Sequence, residues 1–155
     1  MVNGAPVQAE MARANGCAHT IVYTKEDVAA RVREITGGKG VPVVYDSAGK
    51  DTLDASINSL AVRGTLVSNG TSSGPVVIDT MTLAVKGSLW LTRPTMVHYA
   101  APRSHLLTMA DELFALVLAG KIVSEPRQVF ALDQAAEAHR ALESRGTTGA
   151  TILIP

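Results

Sequence analysis

Only one cysteine, Cys17, occurs in the chain. An intrachain disulfide is therefore impossible, and a zinc site built on several thiolates is excluded. This scarcity leads us to expect a reducing, cytoplasmic setting. Charge of one sign is also missing. Fourteen Lys and Arg balance fourteen Asp and Glu, for a formal net charge of +0. No general attraction to nucleic acid or to an anionic membrane follows from that. Long apolar runs are absent too. The richest stretch, residues 106–119, is interrupted by Asp111 and Glu112 and is too short to span a bilayer. Consecutive positions do not share a helix face, so that acidic pair reads as solvated surface. The first fourteen residues are polar, are broken by Gly4 and Pro6, and lack the apolar centre of a signal peptide.

Several chemical signatures are missing as well. The glycine-rich G-x-G-x-x-G turn that should follow a first nucleotide-binding strand is not found. Gly37-Gly38-Lys39-Gly40 follows a predicted helix and lacks the G-K-[ST] ending of a phosphate loop. Tyr45 occupies the first glycine position of a nucleophile elbow around Ser47, which argues against a serine hydrolase. The four histidines, His19, His98, His105 and His139, form no H-E-x-x-H pattern, and no metal is assigned.

What is present is a regular alternation of strand and helix signals. Apolar residues make up 46% of 155, enough for one domain with a real core. His19–Tyr23 predicts a strand. Thr24, with Asp27 three residues on, is the expected helix cap, and Val28, Val32 and Ile35 form an apolar face that Gly37 and Gly38 end. Strands follow at Val41–Tyr45, Gly64–Ser68 and Ser88–Thr92. Helices are expected over Asp51–Leu60 and Ile78–Val85. Ser104 should cap a long helix that closes at Gly120, and Asp133 one that runs through Ser144. Short strands at Gln128–Ala131 and Ala150–Ile154 complete the pattern. Such spacing predicts an α/β fold of parallel βαβ units in a doubly wound sheet.

Ligands of open parallel sheets bind past the carboxyl ends of the strands. Here those ends carry Tyr23-Thr24-Lys25, Asp46-Ser47-Ala48-Gly49, Ser68 to Gly74, and Leu91 to Pro94. Ser, Thr, Gly and Asn let a ligand approach the backbone and offer neutral hydrogen bonds. They are also what any strand end needs to turn, and spacing alone does not choose between the two. Arg145 has the same ambiguity, between binding a phosphate and pairing with helix-terminal carbonyls.

Five segments in series carry a resemblance: REITGGKG at Arg33–Gly40, VVYDSAG at Val43–Gly49, RGTLVSNGTSSG at Arg63–Gly74, KGSLWLTRP at Lys86–Pro94 and ESRGTTGATILIP at Glu143–Pro155. From about Gly16 to Pro155 the chain resembles the zinc-independent quinone oxidoreductases, the zeta-crystallin branch of the medium-chain dehydrogenase/reductase superfamily. The resemblance implies a Rossmann-type doubly wound sheet lacking its first strand and glycine-rich turn. Residues 1–122 would be a partial dinucleotide-binding domain. Residues 123–155 would return, as a helix and strand, to a GroES-like catalytic domain that is mostly absent. Val2-Asn3-Gly4 would match the end of the second Rossmann strand. With the first strand lost from the order 3-2-1-4-5-6, its neighbours would lose their partner.

By position, the resemblance implies NADPH as cofactor, with NADH as the other option. Gly4 would lie near the adenosine ribose, Tyr23 near the 2′-phosphate end and Ser47 on the adenine side. Gly70, Ser72 and Leu91 would serve the nicotinamide half, and Arg145 would reach back to the cofactor. Gln8 stands where relatives often carry a phosphate-binding lysine. The implied reaction is hydride transfer to a quinone or related enone, with no catalytic residue identified and the isolated chain expected to be inactive. Subunits would pair as a homodimer through the Ser88–Thr92 edge strand. A nucleotide-binding module without turnover and a crystallin-like structural or interaction module remain the alternatives.

Overall fold

Every hydrogen-bonded strand pair among the described residues is parallel. The computed structural model describes residues 2–3, 6–123, 126–144, 147 and 149–155. Parallel neighbours cannot be joined by a tight hairpin, so each pair needs a crossover, and here each crossover contains a helix. The residues form two compact units, Met1–His98 and Tyr99–Pro155.

In the first unit, β1 (Val2–Asn3), α1 (Pro6–Ala14) and β2 (Ile21–Val22) make one crossover. Then come α2 (Val28–Ile35), β3 (Val41–Asp46), α3 (Leu53–Ser59), β4 (Leu60–Ser68), α4 (Thr80–Val85) and β5 (Trp90–Thr92). β1 pairs with β2, and a separate sheet has the order β3-β4-β5. A pair and a triple are what the order 3-2-1-4-5-6 leaves when its first strand is omitted, so the parallel Rossmann-type arrangement matches the expectation.

Local chemistry explains most boundaries, and corrects some. α1 was not foreseen. Its proline, read as a breaker, occupies the first helical position, where the missing N–H costs nothing. The cap of α2 is Asp27 rather than Thr24: Ala30 N–H donates to Asp27 Oδ1 at 2.7 Å. α4 starts later than expected, because Asp79 caps it by accepting from Met81 N–H at 2.9 Å. Leu60 leaves the predicted helix and opens β4 in extended conformation. It still shares the core with Ile57, Leu66 and Leu89, against which Val44, Leu53, Ile78 and Leu83 pack. Leu60 and Leu66 are the most deeply buried large side chains.

Arg33 fastens α2 to the junction between α3 and β4. Its Nε and Nη2 donate to the Asn58 carbonyl at 3.2 and 2.9 Å, and Nη2 also to the Leu60 carbonyl at 2.7 Å. Nη1 donates to Gly38 O at 3.0 Å. A helix C-terminus leaves carbonyls without intrahelical partners, and this planar fork satisfies several at once.

A five-residue helix, α5 (Met96–Ala100), spans the boundary between the units, and the second unit continues with α6 (Arg103–Leu118). The position expected for a Ser104 cap is taken by Pro102, whose ring presets an extended φ of −72° and which offers no side-chain bond. β6 (Gln128–Ala131) pairs with β7 (Thr151–Ile154) around α7 (Ala135–Glu143). Asp133 lies in a 3-10 turn instead of capping α7. α6 buries none of its residues, and no helix is long and apolar enough to cross a membrane among the described residues.

Replacing Arg33 by Met should cost about 1–3 kcal/mol, because half-buried carbonyls lose their donor. Urea unfolding measures it. Arg33→Lys should recover only part, since an ammonium cannot reproduce the fork.

Candidate functional site

β3 ends on a buried carboxylate. Asp46 is 6% exposed and accepts the backbone N–H groups of Ala48 and Gly49 on Oδ1, at 2.9 and 3.0 Å. The Thr52 hydroxyl lies 2.8 Å from both carboxylate oxygens, and the Ser56 hydroxyl donates to Oδ2 at 2.6 Å. Thr52 and Ser56 are one helical turn apart, so both point from the start of α3 toward the strand end. Burial by itself pushes the Asp46 carboxyl up. The hydrogen bonds from Ser56, the Gly49 N–H, Thr52 and the Ala48 N–H outweigh it and hold the group below the usual carboxylate value.

The loop after β4 is zipped onto this turn. Asn69 N–H donates to the Asp46 carbonyl at 2.8 Å, and Lys50 N–H to the Gly74 carbonyl at 3.2 Å. The Ser73 N–H and hydroxyl both donate to Ala48 O at 2.8 Å, and the same hydroxyl accepts from Asp51 N–H at 3.0 Å. The approach is so close that a Cβ on Gly70 would run into the Ser47 backbone, and one on Gly49 would meet Gly74 O at 2.5 Å. Two loops from adjacent strand ends therefore form one clasp.

Beside the clasp, past the carboxyl ends of β4 and β5, lies a cavity of about 240 Å³. Ser68, Thr71, Val76, Ile78, Leu91 and Arg93 line it. Arg93 Nη1 donates to the Ser68 carbonyl at 2.9 Å, so the cavity wall is tied to the last residue of β4. Among the described residues no group of three or more His, Cys, Asp or Glu could hold a metal ion.

Of the residues singled out from sequence, Ser47, Gly70 and Ser72 come together in the clasp, with Ser72 Oγ 3.5 Å from Ser47 O. Leu91 lines the cavity next to it. Gln8 is half-buried on α1, and Tyr23, 51% exposed, follows β2. Gly4 and Arg145 lie outside the described residues. Asp46, Ser73 and Arg93 lie in the strand-end stretches marked from sequence but were given no individual role, and Thr52 and Ser56 were passed over. A signal did exist for Asp46, Thr52 and Ser56: an acid at a strand end, followed by hydroxyls six and ten residues on, at helical spacing from each other.

Asp46 should make stability depend on acid. Its folded-state pKa is below the unfolded value of about 3.9, so its contribution is full above that value and fades as pH falls through the lower folded one. Urea unfolding across this range should show the loss in the wild type. In Asp46→Asn this component should vanish, with stability near neutrality lower by about 1–3 kcal/mol.

The chain is similar to proteins of known type along most of its length. The zinc-binding dehydrogenase profile matches residues 15–153. A quinone oxidoreductase of Pseudomonas aeruginosa is 51% identical over 151 residues, which are 97% of this chain and 46% of that protein. A 2-haloacrylate reductase of Burkholderia sp is 46% identical over 153 residues, 96% of this chain and 45% of that one. The chain thus spans about half the length of the curated relatives it matches. The crystal structure of Escherichia coli quinone oxidoreductase complexed with NADPH superposes with a TM-score of 0.94 at 42% identity, over 99% of this chain and 48% of that one. With the family profile matched along most of its length, and with the parallel strands and helical crossovers described above, this chain belongs to the zinc-binding dehydrogenase family.

Proposed function

We propose that the chain is the cofactor-binding part of an NADPH-dependent oxidoreductase acting on quinones or related enones. The clasped loops carry this reading. They set two backbone-rich, hydroxyl-rich turns side by side at the carboxyl ends of parallel strands, next to a cavity, where open α/β sheets bind dinucleotides. The likeness to quinone oxidoreductases, one of them complexed with NADPH, supports the same cofactor. Within this reading, residues 1–122 hold the dinucleotide and residues 123–155 belong with a catalytic domain. The setting is cytoplasmic.

The bound nicotinamide supplies the hydride, and the protein supplies binding and orientation. Ser47 serves the adenine side. Gly70 and Ser72 serve the nicotinamide half, with the Leu91 backbone near its amide. Gln8 and Tyr23 serve the adenosine end, and Gly4 and Arg145 are assigned to the cofactor by the family resemblance alone. Gln8 is uncharged and cannot form the ion pair with a 2′-phosphate that a lysine would, which narrows the preference for NADPH and leaves NADH as the other ligand. Zinc, which the family's name implies, finds no fitting set of donors among the described residues, and no step runs through it.

A homodimer belongs to the same reading. β5 lies at the end of the β3-β4-β5 sheet and exposes all three of its residues, Trp90 by 65%. An apolar edge strand is a template for pairing with a second copy. This observation also favours the alternative of a structural module, which would dimerise without nucleotide affinity.

Fluorescence titration with Trp90 as reporter separates the two. NADPH should saturate the chain at roughly micromolar concentration, the usual range for such ligands, with NADH weaker. No oxidation of NADPH should follow when a quinone is added to this chain alone. Failure of both nucleotides to bind at about 1 mM, which corresponds to only ~4 kcal/mol of affinity, would overturn the reading. Sedimentation equilibrium should show a dimer that Trp90→Lys shifts toward monomer, since a charge on the edge opposes strand pairing.

A further inference from the structure

We infer that Asp46 is a positioning residue that couples the two halves of the dinucleotide site, an inference that rests on the cofactor reading above. The residues assigned to the adenine side and to the nicotinamide half stand on different loops, Ser47 on the turn after β3 and Gly70 and Ser72 on the loop after β4. Nothing in covalent structure sets the distance between them. Asp46 does so from beneath. Its carboxylate gathers the Ala48 and Gly49 N–H groups with the Thr52 and Ser56 hydroxyls. That fixes the peptide whose carbonyl, Ala48 O, receives both donors of Ser73. Its own carbonyl takes the Asn69 N–H, and the chain between these two anchors presses Gly70 against Ser47.

A ligand that touches both loops benefits from having them already in register. One that touches a single loop does not. Loss of the carboxylate should therefore weaken a whole dinucleotide far more than its adenosine half. Simple destabilisation behaves differently, because a smaller competent fraction weakens every ligand by the same factor. Asn at position 46 keeps an acceptor for the backbone N–H groups but presents an NH₂ group where a hydroxyl donates.

Wild type, Asp46→Asn and the milder Ser73→Ala are titrated with NADPH, and with adenosine 2′,5′-bisphosphate by competition. Asp46→Asn should weaken NADPH by roughly tenfold or more, a size expected when groups are displaced without being removed, and Ser73→Ala by about threefold. The bisphosphate should change by less than about twofold in either variant, since of the two clasped loops its contacts need only the turn after β3. An equal loss for both ligands, or NADPH affinity unchanged in both variants, overturns the inference alone. Wild type that binds neither ligand overturns the cofactor reading, and this inference with it. Should Asp46→Asn fail to fold, Ser73→Ala decides the matter by the same ratio.

Discussion

A carboxylate withdrawn from water at the end of β3 governs the working end of this protein. A buried charge is tolerated only when its oxygens are fully engaged. Asp46 meets that condition with two backbone N–H groups and two hydroxyls, all drawn from the next ten residues. The cost of burial and the hydrogen bonds oppose each other, and the bonds prevail, which holds the carboxyl below its usual value. Strand end, turn and helix start thereby become one rigid piece. The loop after β4 then has a fixed surface on which to lie.

The parallel sheet supplies the frame for that arrangement. Its strands all direct their carboxyl ends one way, so the loops that follow β3, β4 and β5 gather on one rim. Helices must cross back between the strands, and Arg33 shows how such a crossover is pinned, by one guanidinium spread over the carbonyls of a neighbouring helix end. Polar contacts thus hold both rims of the sheet, while Ile57, Leu60, Leu66 and Leu89 fill its middle. The unpaired edges have the opposite character. β5 exposes Trp90 and its neighbours, and α6 presents Leu106, Leu113, Phe114 and Leu118 to solvent in large part.

Much of this was legible in the sequence, because the period of apolar residues and the chemistry of caps and turns are local properties. Six of the seven strands among the described residues fall where short apolar runs predict them, and the glycines after α2 stop it as expected. Misreadings cluster where one local signal competed with another. Pro6 looked like a break yet begins a helix, and Thr24 looked like a cap three residues ahead of the aspartate that performs the task. Leu60 fitted a helical face and a strand equally well, and burial beside Leu66 is compatible with either.

By itself, then, the sequence determined the α/β class, the alternation of elements, the family and the loops at which a ligand would be sought. These depend on spacing, composition and order along the chain. Only the tertiary structure decided which of those loops meet. The contacts between Asp46 and Asn69, Ala48 and Ser73, and Ser47 and Gly70 join residues more than twenty positions apart, and no periodicity records them. They exist because parallel strands bring their ends to one side, where backbone donors and acceptors left unpaired by the turns must find one another.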